Sequence, residues 1–157
     1  TGIVGSADPE EILRFFEEVA PRYEYLTPEI ATFIYQIFPR PHAIIRKMND
    51  ELLGDFSKLQ TLASSKHANI EFSDEACTQF STILKENRNA RAVLVQIYDA
   101  IENFETPLSG IGRPEQLKHK GDNVYSRRID HANRLVYKQT AEKSEFIVYI
   151  ISCDEHY

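Results

Sequence analysis

Cysteine is scarce in this chain: two residues in 157, Cys77 and Cys153. They have no metal-ligand spacing, so no zinc site is expected, and a reduced, cytoplasmic protein is the simplest reading. Cys153 ends an apolar run and reads as a small core residue rather than a nucleophile. No stretch approaches the roughly 20 apolar residues of a membrane-spanning helix, and no membrane partner is expected. A signal peptide with a basic start and an apolar middle is missing too, although the chain opens Thr-Gly rather than Met, which suggests a piece of a longer protein. There is no internal repeat and no low-complexity segment. Positive charge is also in short supply. The 18 Lys and Arg face 24 Asp and Glu, for a net charge of −6. That balance argues against a general nucleic-acid binder, because the electrostatic term dominates non-specific affinity.

What is present begins with helix signals. Residues 1–7 read as a small, polar, disordered tail. Asp8-Pro9-Glu10-Glu11 starts a helix with Asp as N-cap and Pro at the first position, and Pro21 ends it. Thr27-Pro28-Glu29 starts a second, which stops at Pro39. A third apolar-periodic segment runs over 42–62, with Gly54 as the expected break. Tyr23, Tyr25, His42 and His67 read as packing or surface residues. The polar run 64–69 is the expected boundary between an all-helical N-terminal extension (1–68) and a second domain (69–157). In that domain Ile70-Glu71-Phe72 reads as a strand, Ser73 caps a helix, and 90–101 forms another. Strands are expected over 123–129, 133–139 and 145–152, with turns at 130–133 and 141–144. The order β-α-α-β-β-β predicts an α+β domain, an antiparallel sheet packed on two helices.

The last third carries the chemistry. Residues 113–138 hold seven Lys or Arg and three Asp or Glu, so this segment is net positive inside an acidic chain. Strand alternation places Val124, Ser126 and Arg128 on one face and Tyr125, Arg127 and Ile129 on the other. Arg127 is therefore expected to be structural. Four motifs stand in order: Gly112-Arg113-Pro114-Glu115-x-Leu117-Lys118, Ser126-Arg127-Arg128-Ile129, Arg134-Leu135-Val136-Tyr137, and Ser152-Cys153-x-x-His156-Tyr157. With these motifs the segment 69–157 resembles the YoeB/Txe-type toxins of the RelE superfamily, ribosome-dependent mRNA interferases. The first 68 residues have no counterpart in that family.

The resemblance implies a RelE-like sheet and a toxin that inhibits translation by cutting mRNA at the ribosomal A site. It implies metal-independent attack by the RNA 2′-OH, with no cofactor. Glu115 matches the family's proposed general base and His156 its general acid. Arg134 matches a transition-state-stabilising position, Lys118 and Arg128 match phosphate-binding positions, and Tyr157 matches the terminal residue that helps position the RNA. mRNA, the ribosome and a cognate antitoxin are the implied partners, and a homodimer is allowed. Rival readings remain. Arg128 and Arg134 could be cross-strand partners of acids such as Asp130 or Glu145. Asp154-Glu155 departs from the family ending and would repel RNA phosphate. The fold could serve as a non-catalytic RNA- or protein-binding module, or as a ribosome-independent RNase domain of a larger delivered protein. The extension could mimic an antitoxin helix in cis, dock a partner, or enlarge the core. A cis-inhibitor predicts that deleting 1–68 increases toxicity.

Overall fold

The computed structural model describes residues 8–156; the expected N-terminal tail and the expected role of Tyr157 lie outside the described residues. Six helices precede or interleave a five-stranded sheet. The helices are α1 (Pro9–Val19), α2 (Pro28–Ile37), α3 (Pro41–Ile45), α4 (Asp50–Ser65), α5 (Asp74–Lys85) and α6 (Ala90–Glu102). The strands are β1 (Ala68–Phe72), β2 (Glu115–Gln116), β3 (Val124–Arg128), β4 (Asn133–Glu142) and β5 (Glu145–His156).

Most helix starts are set by local chemistry. Side chains of Asp8, Thr27, Asn49, Ser73 and Asn89 accept hydrogen bonds from the first-turn amides of α1, α2, α4, α5 and α6. Such caps satisfy amides that have no partner within the helix. The segment expected to break at Gly54 breaks earlier, where Asn49 caps α4 by accepting from the Leu52 amide at 2.9 Å. Gly54 lies inside α4, exposed, with nothing within 4 Å of the place its Cβ would take. The capping bond outweighs one glycine's poor helix propensity of about 1 kcal/mol. His42, expected in a loop, lies in α3 with its ring edge-on to Phe15. The expected 64–69 boundary is a tight turn between α4 and β1, with His67 in the left-handed region.

The sheet order is β1-β5-β4-β3-β2. The fold is α+β, as expected, with one refinement. β1 runs parallel to β5 and the other pairs are antiparallel, so the sheet is mixed. Between β1 and its parallel partner β5 the chain runs through α5, α6 and the antiparallel strands β2–β4, far longer than the dozen or so residues a parallel connection needs. Opposite β4, β5 slips register twice, between Arg134 and Val136 and between Val136 and Tyr137. Such bulges bend a strand and re-aim its end.

One apolar core runs from the N-terminal helices to the sheet. Phe38 stacks on Phe80 at 5.6 Å and tilts against Phe72 at 4.5 Å, and Phe56 meets Phe80 edge-on. Ile34, Leu53 and Phe56 share this core with Ile97, Val148 and Ile150, all fully buried. Polar bonds stitch its rim. Arg40 donates to Asp74 and to Thr78 Oγ1, Lys47 to Ser81 Oγ, and Arg91 pairs with Asp55.

Both cysteines are buried and free. Burial pushes the Cys153 thiol far above its ordinary value of 9.0, and Asp154 adds to the shift. Burial likewise raises Cys77, and it raises Tyr137 above 10.0, partly offset by Arg127. In the unfolded chain these groups lose protons near their ordinary values, while the folded chain keeps them. Folding stability from the thiols is therefore complete below pH 9.0 and falls as pH rises beyond it. Urea midpoints are expected to be flat from neutral pH to about 9 and then to fall, with the Cys153 thiol contributing a slope approaching about 1.4 kcal/mol per pH unit. Cys153→Ala should remove its share of that slope. An unchanged slope in the variant would contradict the assignment.

Candidate active site

The site is built on the sheet face turned away from α5 and α6. Arg127 marks the opposite, covered face: its guanidinium bonds to Asp99 on α6, and it is fully buried. Ser126 and Arg128 therefore point to the open face, because side chains alternate along a strand. Glu115 lies opposite Ser126, and Arg134 lies opposite Arg128. The register thus puts Glu115, Arg128 and Arg134 on one face, with Glu115 one diagonal step from Arg128, a separation of about 7–8 Å between Cα atoms.

Glu115 sits where it does because of the loop before it. Residues 107–112 wrap the buried Arg127. Its Nη1 donates to the Ile111 carbonyl at 2.9 Å and to Asp99 Oδ2, its Nη2 donates to the Ser109 carbonyl at 3.0 Å, and its Nε donates to the Tyr137 hydroxyl at 3.0 Å. The Ile111 amide donates to the same Asp99 oxygen at 2.9 Å. Gly110 and Gly112 let the loop lie this close. A Cβ on Gly110 would come within 2.0 Å of Asp99 Oδ2, and one on Gly112 within 2.2 Å of Gln96 Oε1. Both have positive φ. The Gly112 carbonyl accepts from the Arg128 amide at 2.6 Å, and the chain turns through Arg113, itself left-handed, into β2.

Lys118 follows β2 in a single 3-10 turn, Lys118–Lys120, and is exposed. Leu117 anchors that turn by packing on Val124, Val136 and Ile151, a small cluster separate from the main core. The turn brings Lys120 to Glu155, Nζ to Oε1 at 2.8 Å. Arg134 Nε lies 3.7 Å from the other oxygen of Glu155, and its side chain is only 16% exposed. Asp154 turns elsewhere, accepting from both terminal nitrogens of Arg88 at 3.2 and 3.0 Å. That pair ties the end of β5 to the turn between α5 and α6. His156 is exposed and lies opposite Asn133. Asn133 closes the 130–133 turn, where Asp130 accepts from the amides of Ala132 and Asn133.

The structure therefore brings Glu115, Arg128 and Arg134 to one face and sets Lys118 at its edge, while His156, following Glu155 and opposite Asn133, falls by the same alternation on the other face at the very end of its strand. The Glu115 carboxylate forms no ion pair among the described residues. The rival reading of Arg134 as a cross-strand partner finds an acid, but it is Glu155 rather than Asp130 or Glu145. Sequence reasoning missed two things here. The first is the Arg127–Asp99 network; its trace is a polar pair, Gln96 and Asp99, at helical spacing in an otherwise apolar helix. The second is the contact of Lys120 and Arg134 with Glu155, which depends on a bulged register that no local pattern encodes.

Comparisons with known proteins agree on a family. The chain is 42% identical over 52 residues to the toxin YoeB of Escherichia coli strain K12, a match covering 33% of this chain and 57% of that toxin. The chain thus spans little more than half the length of this curated relative. Among solved structures, a YoeB dimer from Staphylococcus aureus is 33% identical, with 58% of this chain and 99% of that chain covered and a TM-score of 0.44. A heterotetrameric YoeB–YefM toxin-antitoxin complex from the same organism is 32% identical, with coverage of 55% and 93% and a TM-score of 0.40. The family model for the YoeB-like toxin of bacterial type II toxin-antitoxin systems matches residues 72–157, over half of the sequence and starting within β1, and the chain belongs to that family.

Proposed function

We propose that this toxin is an endoribonuclease that cuts mRNA in the ribosomal A site and so inhibits translation. The observation that carries the reading is the ladder register, which sets Glu115, a carboxylate with no ion pair among the described residues, a diagonal step from the Arg128–Arg134 pair on an open sheet face. Cleavage needs a base, an acid and cations around a phosphorane-like transition state. Glu115 takes the proton from the 2′-OH. That oxygen bonds to the adjacent phosphorus, and the bond from phosphorus to the 5′-oxygen breaks. His156, the acid by the family match, must swing round the end of β5 to give its proton to the leaving 5′-oxygen, leaving a 2′,3′-cyclic phosphate and a free 5′-hydroxyl. Arg134 meets the charge that develops on the phosphoryl oxygens, and Lys118 and Arg128 hold the backbone on either side. Tyr157, by the family match, stacks on a base.

An antitoxin of the kind found in the Staphylococcus aureus complex is the proposed partner of the free toxin, and a homodimer is an assembly available to it. The N-terminal helices form a separate expected segment, and we assign them the role of enlarging the core. α4 packs on α6 and β1, α2 on β1 and α3 on α5, all on the covered side of the sheet.

The test is cleavage of a short defined mRNA with and without programmed ribosomes. Wild type is expected to cut only with ribosomes. Glu115→Ala and His156→Ala are each expected to slow cutting by about 10²–10⁴, the usual worth of a general base or acid. Cuts without ribosomes would point to a free-RNA nuclease. No cuts in either condition would favour a non-catalytic binding module, a reading to which the engagement of Arg134 by Glu155 lends some weight.

A further inference from the structure

Glu155 reaches two cations of the basic face, Lys120 and Arg134. Its Oε1 accepts from Lys120 Nζ at 2.8 Å, and its Oε2 lies 3.7 Å from Arg134 Nε. The second contact is unfinished. Arg134 Nε and Glu155 Oε2 are both buried, and neither has a hydrogen-bond partner among the described residues. A separation of 3.7 Å is too long for a hydrogen bond. Arg134 is thus electrostatically occupied, while its donor remains unsatisfied and ready for a better-placed oxygen. A phosphate oxygen is such an acceptor, with the charge and geometry that guanidinium prefers. The adjacent acid does not share this role, because Asp154 is held by Arg88.

We propose that Glu155 is a built-in competitor for RNA phosphate: its carboxylate occupies Lys120 and Arg134 in the free protein, and a bound strand must displace it. The proposal rests on the reading of this face as an RNA site. It makes Lys120 a phosphate-binding residue of that face. It also makes the bulged end of β5 a threshold that weak, non-specific RNA does not cross. The bulges matter because they bring Glu155 opposite Arg134. In the −6 charged chain, the competitor adds local selectivity to a general repulsion of free RNA.

The experiment measures binding of a short, fluorescein-labelled, fully 2′-O-methylated single-stranded RNA, which cannot be cut. Fluorescence anisotropy is read from about 50 to 200 mM salt, a range over which phosphate contacts separate clearly. Wild type, Glu155→Gln and Glu142→Gln are compared as full chains. Glu142 is exposed at the far hairpin and controls for net charge alone. Glu155→Gln is expected to bind about fivefold tighter, the upper range for one such ion pair. Its dependence of log affinity on log salt should steepen by about 0.7, one added phosphate contact on a single strand. Glu142→Gln should leave the slope unchanged.

Equal affinity and slope in wild type and Glu155→Gln would overturn the proposal. So would a Glu142→Gln effect of the same size, or no measurable binding by any of the three. Ribosome assays of the same proteins separate this from the proposed activity. Tighter, steeper binding without cleavage by any of them would retain the competitor and discard the nuclease. Cleavage by wild type, with Glu155→Gln identical to it in binding, would do the reverse.

Discussion

Arg127→Ala is expected to cost about 3–5 kcal/mol of folding stability, the range for removing one partner of a buried ion pair. For a chain of this size that is a fall of about 6–20 °C in Tm. The guanidinium is fully buried and serves as donor to a carboxylate, a phenol and several loop carbonyls. Removal leaves Asp99 nearly buried without its cation, and leaves the carbonyls of Ser109 and Ile111 without a donor. Lysine does not restore the arrangement, since a single ammonium cannot reproduce the planar fork that reaches Tyr137 and the loop together. Adding Asp99→Asn to Arg127→Ala should recover only part of the loss, because the orphaned carbonyl groups remain. Urea unfolding of the two single variants and the double variant measures this directly. A Tm within about 2 °C of wild type for Arg127→Ala would show the network to be dispensable. The consequence for function follows from the same contacts. The loop that Arg127 holds runs straight into Arg113, Pro114 and Glu115, so a loosened loop misplaces the carboxylate without touching it.

Where sequence was informative, the controlling interaction was local. Asp8, Thr27 and Ser73 cap helices through bonds to amides two or three residues ahead, and each was readable as a start signal. The alternation in β3 separated Arg127 from Arg128 correctly, and the four motifs led to the family. What was not legible depends on distant partners. The break falls before Asn49 rather than at Gly54, because the cap that starts α4 there outweighs one weak propensity, and a propensity rank alone could not weigh the two. The two-residue strand β2 exists only because β3 offers it a partner. Glu155 reads as a repulsive charge in the sequence. In the fold it becomes one half of a pair with Lys120 and Arg134, because two bulges rotate the end of β5. Nothing in residues 113–157 says whether Arg134 stands ready for a substrate or already has a neighbour.

Deleting residues 1–68 is expected to abolish cooperative folding rather than to release a more toxic enzyme. Among the described residues, the helices of the extension pack on β1, α5 and α6, on the side of the sheet that Arg127 marks as covered rather than on the face that carries Glu115 and Arg134. An inhibitor that leaves the site uncovered has nothing to uncover on removal. What the extension supplies is burial. Phe72 and Phe80, both within the remaining fragment, are enclosed by Phe38 and Phe56. Exposing those two rings alone costs about 3–6 kcal/mol. Ile70, buried on β1, and the face of α6 that meets α4 would be exposed as well. A domain's whole stability is about 5–15 kcal/mol, so the loss is comparable with all of it. Circular dichroism melts and the soluble fraction of a 69–157 fragment test this. The expected fragment is insoluble or melts without a sharp transition. Supplying residues 1–68 as a separate chain should restore solubility, because the missing partner is an apolar surface and not a peptide bond. A soluble, sharply melting fragment that is more toxic than the full chain would instead return the extension to the role of inhibitor, acting through the strand end at β5 rather than by covering the site.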